Sequence, residues 1–159
     1  ENTVYRDEVL SPQTAYVMTS MLESVVNEGT AGSIRSRGIT RPLAGKTGTT
    51  DDYSDAWFVG YSPELCAGTW VGFDQRRRLG EKVSGARAAL PIWIDFMEAA
   101  LRGKPETAFA EPEGIVHRQI CEQSGLLARE GCPDQRYEVF IEGSEPSLAC
   151  EQHRGSIVQ

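Results

Sequence analysis

Long apolar runs and positive charge are both scarce in this 159-residue sequence. No stretch approaches the ~18 uninterrupted apolar residues of a membrane-spanning helix. Only 16 lysines and arginines stand against 23 aspartates and glutamates, giving a formal net charge of -7. A nucleic-acid partner is therefore not expected, because binding a phosphate backbone requires a positive surface. The one dense basic run, Arg76-Arg77-Arg78, is too short for a basic tract and predicts a solvated turn.

The sequence begins with Glu1-Asn2-Thr3, which is neither an initiator methionine nor the start of a signal peptide. We therefore expect the chain to be a piece of a longer protein. With 40% apolar and 8% aromatic residues, it can still build a hydrophobic core.

Histidine is also scarce, which limits nucleophilic mechanisms that use an imidazole base. Only His117 and His153 are present, both late in the chain, so a Ser-His-Asp triad is disfavoured. Asp51, Asp52 and Asp55 lack the spacing of a calcium-binding loop. They predict a turn in which Asp55 is a hydrogen-bonding brace.

The periodicity of the apolar residues predicts an α+β fold, an antiparallel strand meander packed between helices. Ser11 and Gly29 bound a first helix, in which Ala15, Met18, Leu22 and Val25 are expected to face the core. Short turns separate three strand-like segments, so these should pair as antiparallel hairpins. Aromatic residues at this spacing are expected mainly in the core: Trp57, Phe58, Trp70 and Trp93. The predicted elements are helix Pro12–Glu28, strands Leu43–Thr50, Ala56–Tyr61 and Leu65–Phe73, and helix Pro91–Arg102.

Composition changes after Lys104-Pro105 towards proline, glycine and glutamate. The later segment has one further strand-like run, Tyr137–Ile141, and three of the four cysteines. We therefore predict two parts, residues 1–104 and a small irregular cysteine-containing tail over residues 105–159.

Gly45-Lys46-Thr47 could end a phosphate-binding loop, which needs a glycine, four residues, and Gly-Lys-Ser/Thr at the start of a helix. Thr40 occupies the position of the first glycine, and the residues from Thr47 to Thr50 are poor helix formers. The phosphate-loop interpretation is therefore disfavoured.

As a strand, the same residues place Lys46 and Gly48 on one face and Thr47 and Thr49 on the other. An extended substrate could approach Gly48 closely and pair with the free amides of an edge strand. The lysine charge and threonine hydroxyls would bind a carboxylate, and an amide near Thr49 would face a developing oxyanion.

Four segments, AGKTGTT, DAWFVGY, WVGFD and AALPIWIDFM, follow one another in this order. Together they resemble the C-terminal half of the transpeptidase domain of class A, bifunctional penicillin-binding proteins, over roughly residues 8–102. The tail from Ser124 to His153 resembles the same family more loosely. Lys-Thr-Gly alone would be weak support, but the flanking hairpin and helix make the combination specific.

The resemblance implies a partial penicillin-binding/β-lactamase-like fold and serine acyl transfer, in which a Ser-x-x-Lys serine attacks and Ser-x-Asn assists. Lys46 would hold the substrate carboxylate and help polarise the serine network. Thr47 and Thr49 would bind that carboxylate, and the Thr49 amide would form half the oxyanion hole. Neither Ser-x-x-Lys nor Ser-x-Asn occurs in this chain. We therefore expect the nucleophile to lie upstream of Glu1 and the isolated chain to be inactive.

The resemblance also implies substrates and a location. Peptidoglycan stem peptides ending in D-Ala-D-Ala and β-lactams would bind together with the missing half of the domain, and no cofactor or metal is expected. The parent protein would act in the periplasm at the inner membrane, with membrane contact only through a missing N-terminal anchor. The alternative is a non-catalytic cell-envelope binding or interaction module.

The four cysteines give two predictions. Cys66 alternates with Gly68 and Trp70, which predicts a buried free thiol in a strand. For a cell-envelope protein, as the resemblance implies, a disulfide between Cys132 and Cys150 would staple a tail with little core. The rival is a zinc site, although its spacing contains no close Cys-x-x-Cys pair. Its ligands would be Cys121, Cys132, Cys150 and His153.

Overall fold

The computed structural model describes residues 7–153, and these residues fall into two units. One unit is Met18–Ala110, and the other combines the described parts of Glu1–Val17 and Glu111–Gln159. Within the described residues, no helix is both long enough and apolar enough to cross a membrane.

The division assigns the start of the first helix to the later segment, whereas the predicted parts were residues 1–104 and 105–159. Two hydrogen bonds account for this difference. Gln13 Nε2 donates to the carbonyl of Glu113 (2.8 Å), and Tyr16 OH donates to Glu111 Oε2 (3.1 Å). Such long-range contacts are not visible in local sequence patterns.

The first helix, α1, spans Pro12–Asn27 and is followed by a short helix α2, Ser33–Ser36. Ser11 caps α1 as predicted, because its Oγ accepts the Thr14 amide (3.2 Å). The predicted core stripe is only partly right, since Ala15 and Met18 are exposed. Thr19 is buried instead, and its Oγ1 hydrogen-bonds the Tyr61 hydroxyl (2.9 Å).

The three central strands form one antiparallel meander in the order β1-β2-β3, which confirms the predicted fold class. β1 pairs with β2 so that Lys46 lies opposite Val59 and Gly48 opposite Trp57. One face of the sheet is buried and the other is open, because residues alternate in direction along each strand. The strands are β1, Ala44–Thr49; β2, Ala56–Tyr61; and β3, Cys66–Val71.

A long helix, α3, packs against all three strands and spans Gly85–Ala100. It begins six residues before Pro91, the predicted start, and keeps that proline inside. The buried positions continue upstream through Ala89 and Leu90, so packing outweighs the hydrogen bond that Pro91 cannot donate. Together α3, β2 and neighbouring segments form the apolar core: Val26, Ala31, Ile34, Leu43, Phe58, Ala89, Leu90, Trp93, Ile94, Met97 and Leu101.

The open face of the sheet corrects three predictions of burial. Trp57 and Trp70 are 46% and 44% exposed, although Phe58 and Trp93 are fully buried as predicted. Cys66 is exposed as well, not buried. On β3, two residues of the opposite face, Ala67 and Val71, pack against the core. The alternation of side chains along these strands was therefore predicted correctly, but the prediction of which sheet face is buried was wrong at these three positions.

The other unit contains a second, two-stranded antiparallel sheet. β5 spans Gln135–Ile141 and contains the predicted run. Its partner β4, Ile115–Cys121, was not predicted, because His117, Arg118 and Gln119 interrupt its β-branched residues. The buried cluster of this unit consists of Cys121, Cys132 and Cys150, with Ala128 packed against it.

Candidate functional site

The first strand carries the motif residues at the edge of the three-stranded sheet. Lys46 is exposed, and its side chain shares a sheet face with Gly48. The neighbouring strand presents Trp57 and Val59 on this face, 46% and 47% exposed. An exposed ammonium therefore stands beside a half-exposed apolar surface, next to a position that has no side chain.

Two hydrogen bonds to the next residue hold the Lys46 ammonium along the strand. Nζ donates to the carbonyl of Thr47 (3.0 Å) and to its Oγ1 (3.3 Å). The Thr47 hydroxyl also hydrogen-bonds Thr30 Oγ1 (3.1 Å). An ammonium has three donors, so one remains to bind an incoming anion alongside the positioned hydroxyl.

Glycine at position 48 keeps the motif strand open. A Cβ built there would lie 3.2 Å from Trp57 Cβ, which is tighter than an ordinary contact. A ligand can therefore approach the backbone of Gly48 more closely than it could approach any other residue type.

Thr49 is held from the buried side of the sheet by the start of α3. The Gly85 amide donates to Thr49 Oγ1 (3.0 Å). A Cβ at Gly85 would lie 2.3 Å from the Trp57 carbonyl oxygen and 2.7 Å from that of Gly48. Gly85 thus allows the helix to start directly against the motif strand, and sequence reasoning missed it. The available signal was Ser84, a helix-capping residue type just before the apolar run.

The turn after β1 is braced as the sequence predicted. Asp55 accepts hydrogen bonds from Trp70 Nε1 (2.9 Å) and from Ser54 Oγ (2.8 Å). The indole N–H of Trp70 stabilises the carboxylate most, followed by Ser54, and together they hold the pKa of Asp55 below its usual value. Asp52 accepts from Arg76, so part of the basic run lies against this acidic turn.

A cavity of about 680 Å³ lies elsewhere in this unit, lined in part by Arg41, Trp93 and Glu98. It contains none of the motif residues from Lys46 to Thr49. The motif residues therefore lie on the open strand edge and not in this cavity.

The predicted disulfide between Cys132 and Cys150 is not formed, because both residues are free thiols in the structure. The fold also brings Cys121 and His153 next to these two cysteines. Four side chains that can bind a metal therefore lie together where a disulfide between two cysteines was predicted. Their sulfur and ring-nitrogen atoms all lie within 4.8 Å of one another. Sequence reasoning counted this set as the rival but overlooked a close ligand pair, Cys150-x-x-His153.

The two histidines are engaged outside any Ser-His-Asp arrangement of the described residues. His117 Nε2 lies 2.7 Å from Glu111 Oε2, and this contact is the main reason why the pKa of Glu111 is lowered. His153 lies among the cysteines.

Two family models match this chain. "Penicillin binding protein transpeptidase domain" matches residues 1–77, and "Penicillin-binding protein 1A, C-terminal domain" matches residues 111–155. The first range contains the motif strand, and the second contains all four residues of the cysteine-histidine cluster.

Curated relatives match along most of the chain. Penicillin-binding protein 1A of Aquifex aeolicus is 44% identical over 94% of this chain, and that of Pseudomonas aeruginosa is 42% identical over 94%. Penicillin-binding protein 2D of Bacillus subtilis is 37% identical, again over 94% of the chain. The chain spans only about a fifth of these relatives, 20%, 18% and 22% of their respective lengths.

The chain is also similar in three dimensions to a solved penicillin-binding protein structure. The crystal structure of penicillin-binding protein 1A from Haemophilus influenzae superposes on this chain with a TM-score of 0.84 at 36% sequence identity. The match covers 92% of this chain and 22% of that one.

Proposed function

This chain belongs to the penicillin-binding protein family, and on that premise we propose that it forms part of a peptidoglycan D,D-transpeptidase. In this role it supplies the wall of the acyl-transfer site that binds the carboxylate of the substrate. The substrates are stem peptides that end in D-Ala-D-Ala, and β-lactams mimic them. The parent protein acts at the periplasmic face of the inner membrane.

The observation that supports this proposal most is the exposed Lys46 ammonium at the sheet edge, 3.0 Å from the Thr47 carbonyl and 3.3 Å from its hydroxyl. A carboxylate placed there would gain a charge-assisted hydrogen bond from Nζ and a second bond from Thr47. The carboxylate is the one charged group at the end of a stem peptide. Its binding would orient the adjacent scissile amide along β1.

The next three residues of β1 would then contact the substrate through both side chains and backbone: Thr47, Gly48 and Thr49. An extended peptide could pair with the free edge of β1, and Gly48 would let it lie close to the strand. The Thr49 amide would donate one of the two hydrogen bonds that stabilise the oxyanion of the tetrahedral intermediate. The Gly85 amide would steady this end of the strand through Thr49 Oγ1.

Acyl transfer also needs a nucleophile and a base. No serine in the 159 residues is followed three positions later by lysine. We therefore infer that the serine belongs to another segment of the parent protein and that this chain contributes binding and electrostatic stabilisation. In the first step the base takes the serine proton, and the serine oxygen bonds to the carbonyl carbon. The C–N bond of the scissile amide then breaks, and the terminal D-alanine leaves with that proton on its nitrogen.

The test is the rate at which a fluorescent penicillin acylates the parent protein and its Lys46→Ala variant. We expect the substitution to slow acylation by roughly two to three orders of magnitude, as the loss of one electrostatic group at a reacting centre commonly does. Lys46→Arg should recover only part of the rate, because a guanidinium cannot take the same position as a compact ammonium.

The matched control is Lys104→Ala, which removes another exposed lysine from the same unit. Its acylation rate should stay within about twofold of wild type, since surface charges far from a reacting centre have small effects. Equal rates for Lys46→Ala and wild type, with equal melting temperatures, would reject the proposal. The isolated chain should not be labelled at all, and labelling would reveal a nucleophile within these residues.

A further inference from the structure

We propose that Cys121, Cys132, Cys150 and His153 form a structural Zn²⁺ site. The four side chains come from three separate segments of the unit and converge on one position, with their ligand atoms within 4.8 Å of one another. The three cysteines are at most 5% exposed. This inference is independent of the transpeptidase proposal, because it concerns neither β1 nor any substrate.

Two nitrogen–sulfur distances within the cluster are close to those of a tetrahedral site. Zn–S bonds of ~2.3 Å and Zn–N bonds of ~2.0 Å separate a nitrogen and a sulfur ligand by roughly 3.5 Å in a tetrahedron. His153 Nδ1 lies 3.5 Å from Cys121 Sγ and 3.3 Å from Cys150 Sγ. Small movements of the side chains would therefore bring the ligands to a central ion.

Backbone hydrogen bonds hold the cysteines in place. Cys121 ends β4, and its amide donates to the Leu126 carbonyl (2.9 Å). The Cys150 amide donates to the carbonyl of Leu127 (2.8 Å). The Cys132 amide donates to the Arg129 carbonyl (2.9 Å), and the Arg129 amide points at Cys132 Sγ (3.3 Å).

A second layer of hydrogen bonds sets the orientation of the histidine ring. Gln123 Nε2 lies 3.4 Å from Asp134 Oδ2, an acceptor, which leaves the amide oxygen of Gln123 facing His153 Nε2 (3.1 Å). Nε2 must then carry the ring proton, so Nδ1 presents a lone pair to the sulfurs. Metal-bound histidines commonly donate their other ring N–H in this way.

The ligand set indicates both the ion and its role. Three thiolates and one imidazole in tetrahedral geometry favour Zn²⁺ over hard cations such as Mg²⁺ or Ca²⁺. All four positions are filled by protein, so no position is left for a reacting water, and the site is structural. A disulfide would use two of the sulfurs and leave the third thiol buried beside it, with His153 unliganded.

The metal content of the chain, purified without chelators, tests this inference directly. We expect one zinc per chain by mass spectrometry of the metal, and four thiols per chain after denaturation under non-reducing conditions. Cobalt exchanged for zinc should give the visible bands of a tetrahedral thiolate complex. Two thiols with no bound zinc would overturn the inference in favour of the disulfide.

Variants locate the site. Cys121→Ser and His153→Ala should each lower zinc retention in a competing chelator at least tenfold, the range seen when metal-site partners are lost. Cys66→Ser is the matched control, since it removes the exposed cysteine of β3 and should retain one zinc. If Cys121→Ser does not fold, His153→Cys decides: it should keep one metal and give the stronger cobalt bands of four thiolates. Unchanged cobalt bands in His153→Cys, or loss of zinc in Cys66→Ser, would reject the assignment.

Discussion

The two units of this chain bury different kinds of side chain. In Met18–Ala110 the core is made of large apolar groups such as Trp93, Phe58 and Leu90. In the unit with β4 and β5 the buried cluster is three cysteines, with Ala128 packed against them. The first core can be stabilised by removal of apolar surface from water, at about 25 cal/mol per Å². The second offers little such surface, and small units of this kind usually need a crosslink or a metal.

The comparison shows why cysteine spacing alone was ambiguous. A weak core predicts a staple, but a disulfide and a metal site both satisfy that need. The spacing of Cys132 and Cys150 suited a disulfide, whereas the β4–β5 pairing also brings Cys121 into the cluster. A third sulfur and an imidazole at the same point favour the metal.

Removal of the metal should have the largest effect on stability, and it should destabilise only one of the two units. Zinc binding to small domains is worth ~10–16 kcal/mol, so its loss can unfold a unit that has little other core. After chelation under reducing conditions, we expect the amides of β4 and β5 to lose most of their protection from hydrogen exchange. Those of β2 should keep theirs. Equal loss of protection in both sheets, or no loss in either, would contradict the comparison.

Trp93→Ala should have the opposite effect and destabilise the three-stranded unit without affecting the metal site. Trp93 is fully buried, packs edge-on against Phe58 with ring centroids 4.8 Å apart, and donates Nε1 to the Ala67 carbonyl (3.0 Å). Its truncation should lower the free energy of unfolding of the three-stranded unit by ~3–5 kcal/mol, measured by native-state hydrogen exchange at β2. The zinc content should not change.

Trp57→Ala provides the matched control for this measurement, because it deletes the same type of side chain from the same unit, but from the open face of the sheet. At 46% exposure, its loss should cost about 1 kcal/mol. An equal cost for the two tryptophans would show that the open face is as well packed as the buried one.

The fold of the three-stranded unit was largely predictable, because its signals are local. β2 spans Ala56–Tyr61 as predicted, since aromatic and β-branched residues fill it and turn residues bound it. Pro91 misled the prediction of α3, because proline at a first helical position is a good local rule that core packing overrode here. The strand β4 was not recognised without its partner, because three successive polar residues interrupt its β-branched ones.

The site was predictable only along the motif strand itself. Alternation along a strand predicted that Lys46 and Gly48 share one face and that Thr47 and Thr49 share the other. The bond from the Gly85 amide to Thr49 Oγ1 joins residues 36 positions apart, and no local pattern predicts it. The same holds for Cys121 and His153, which lie 32 positions apart and meet in the cluster.

The smallest expected effect concerns acid stability of the three-stranded unit through Asp55. Its pKa is below the usual value in the folded chain, chiefly because Trp70 Nε1 donates to the carboxylate. A lowered folded-state pKa contributes stability that is present above the unfolded-state pKa and is lost as pH falls through the folded value. Asp55→Asn should therefore lower the melting temperature slightly near neutral pH, and this difference from wild type should shrink on acidification.

Asp51→Asn is the matched control, since it removes the same charge from the same turn but keeps the acceptor for Trp70. The measurement is a series of thermal melts from neutral pH down to below the usual carboxyl pKa, with zinc content followed in parallel. Asp55→Asn should change the pH dependence more than Asp51→Asn does, without loss of zinc at neutral pH. If the melting temperatures of the two variants show the same pH dependence, the hydrogen bonds of Asp55 add nothing to the effect of its charge. If Asp55→Asn releases zinc, the two units are not stabilised separately, and the contrast between an apolar core and a metal-held one would fail.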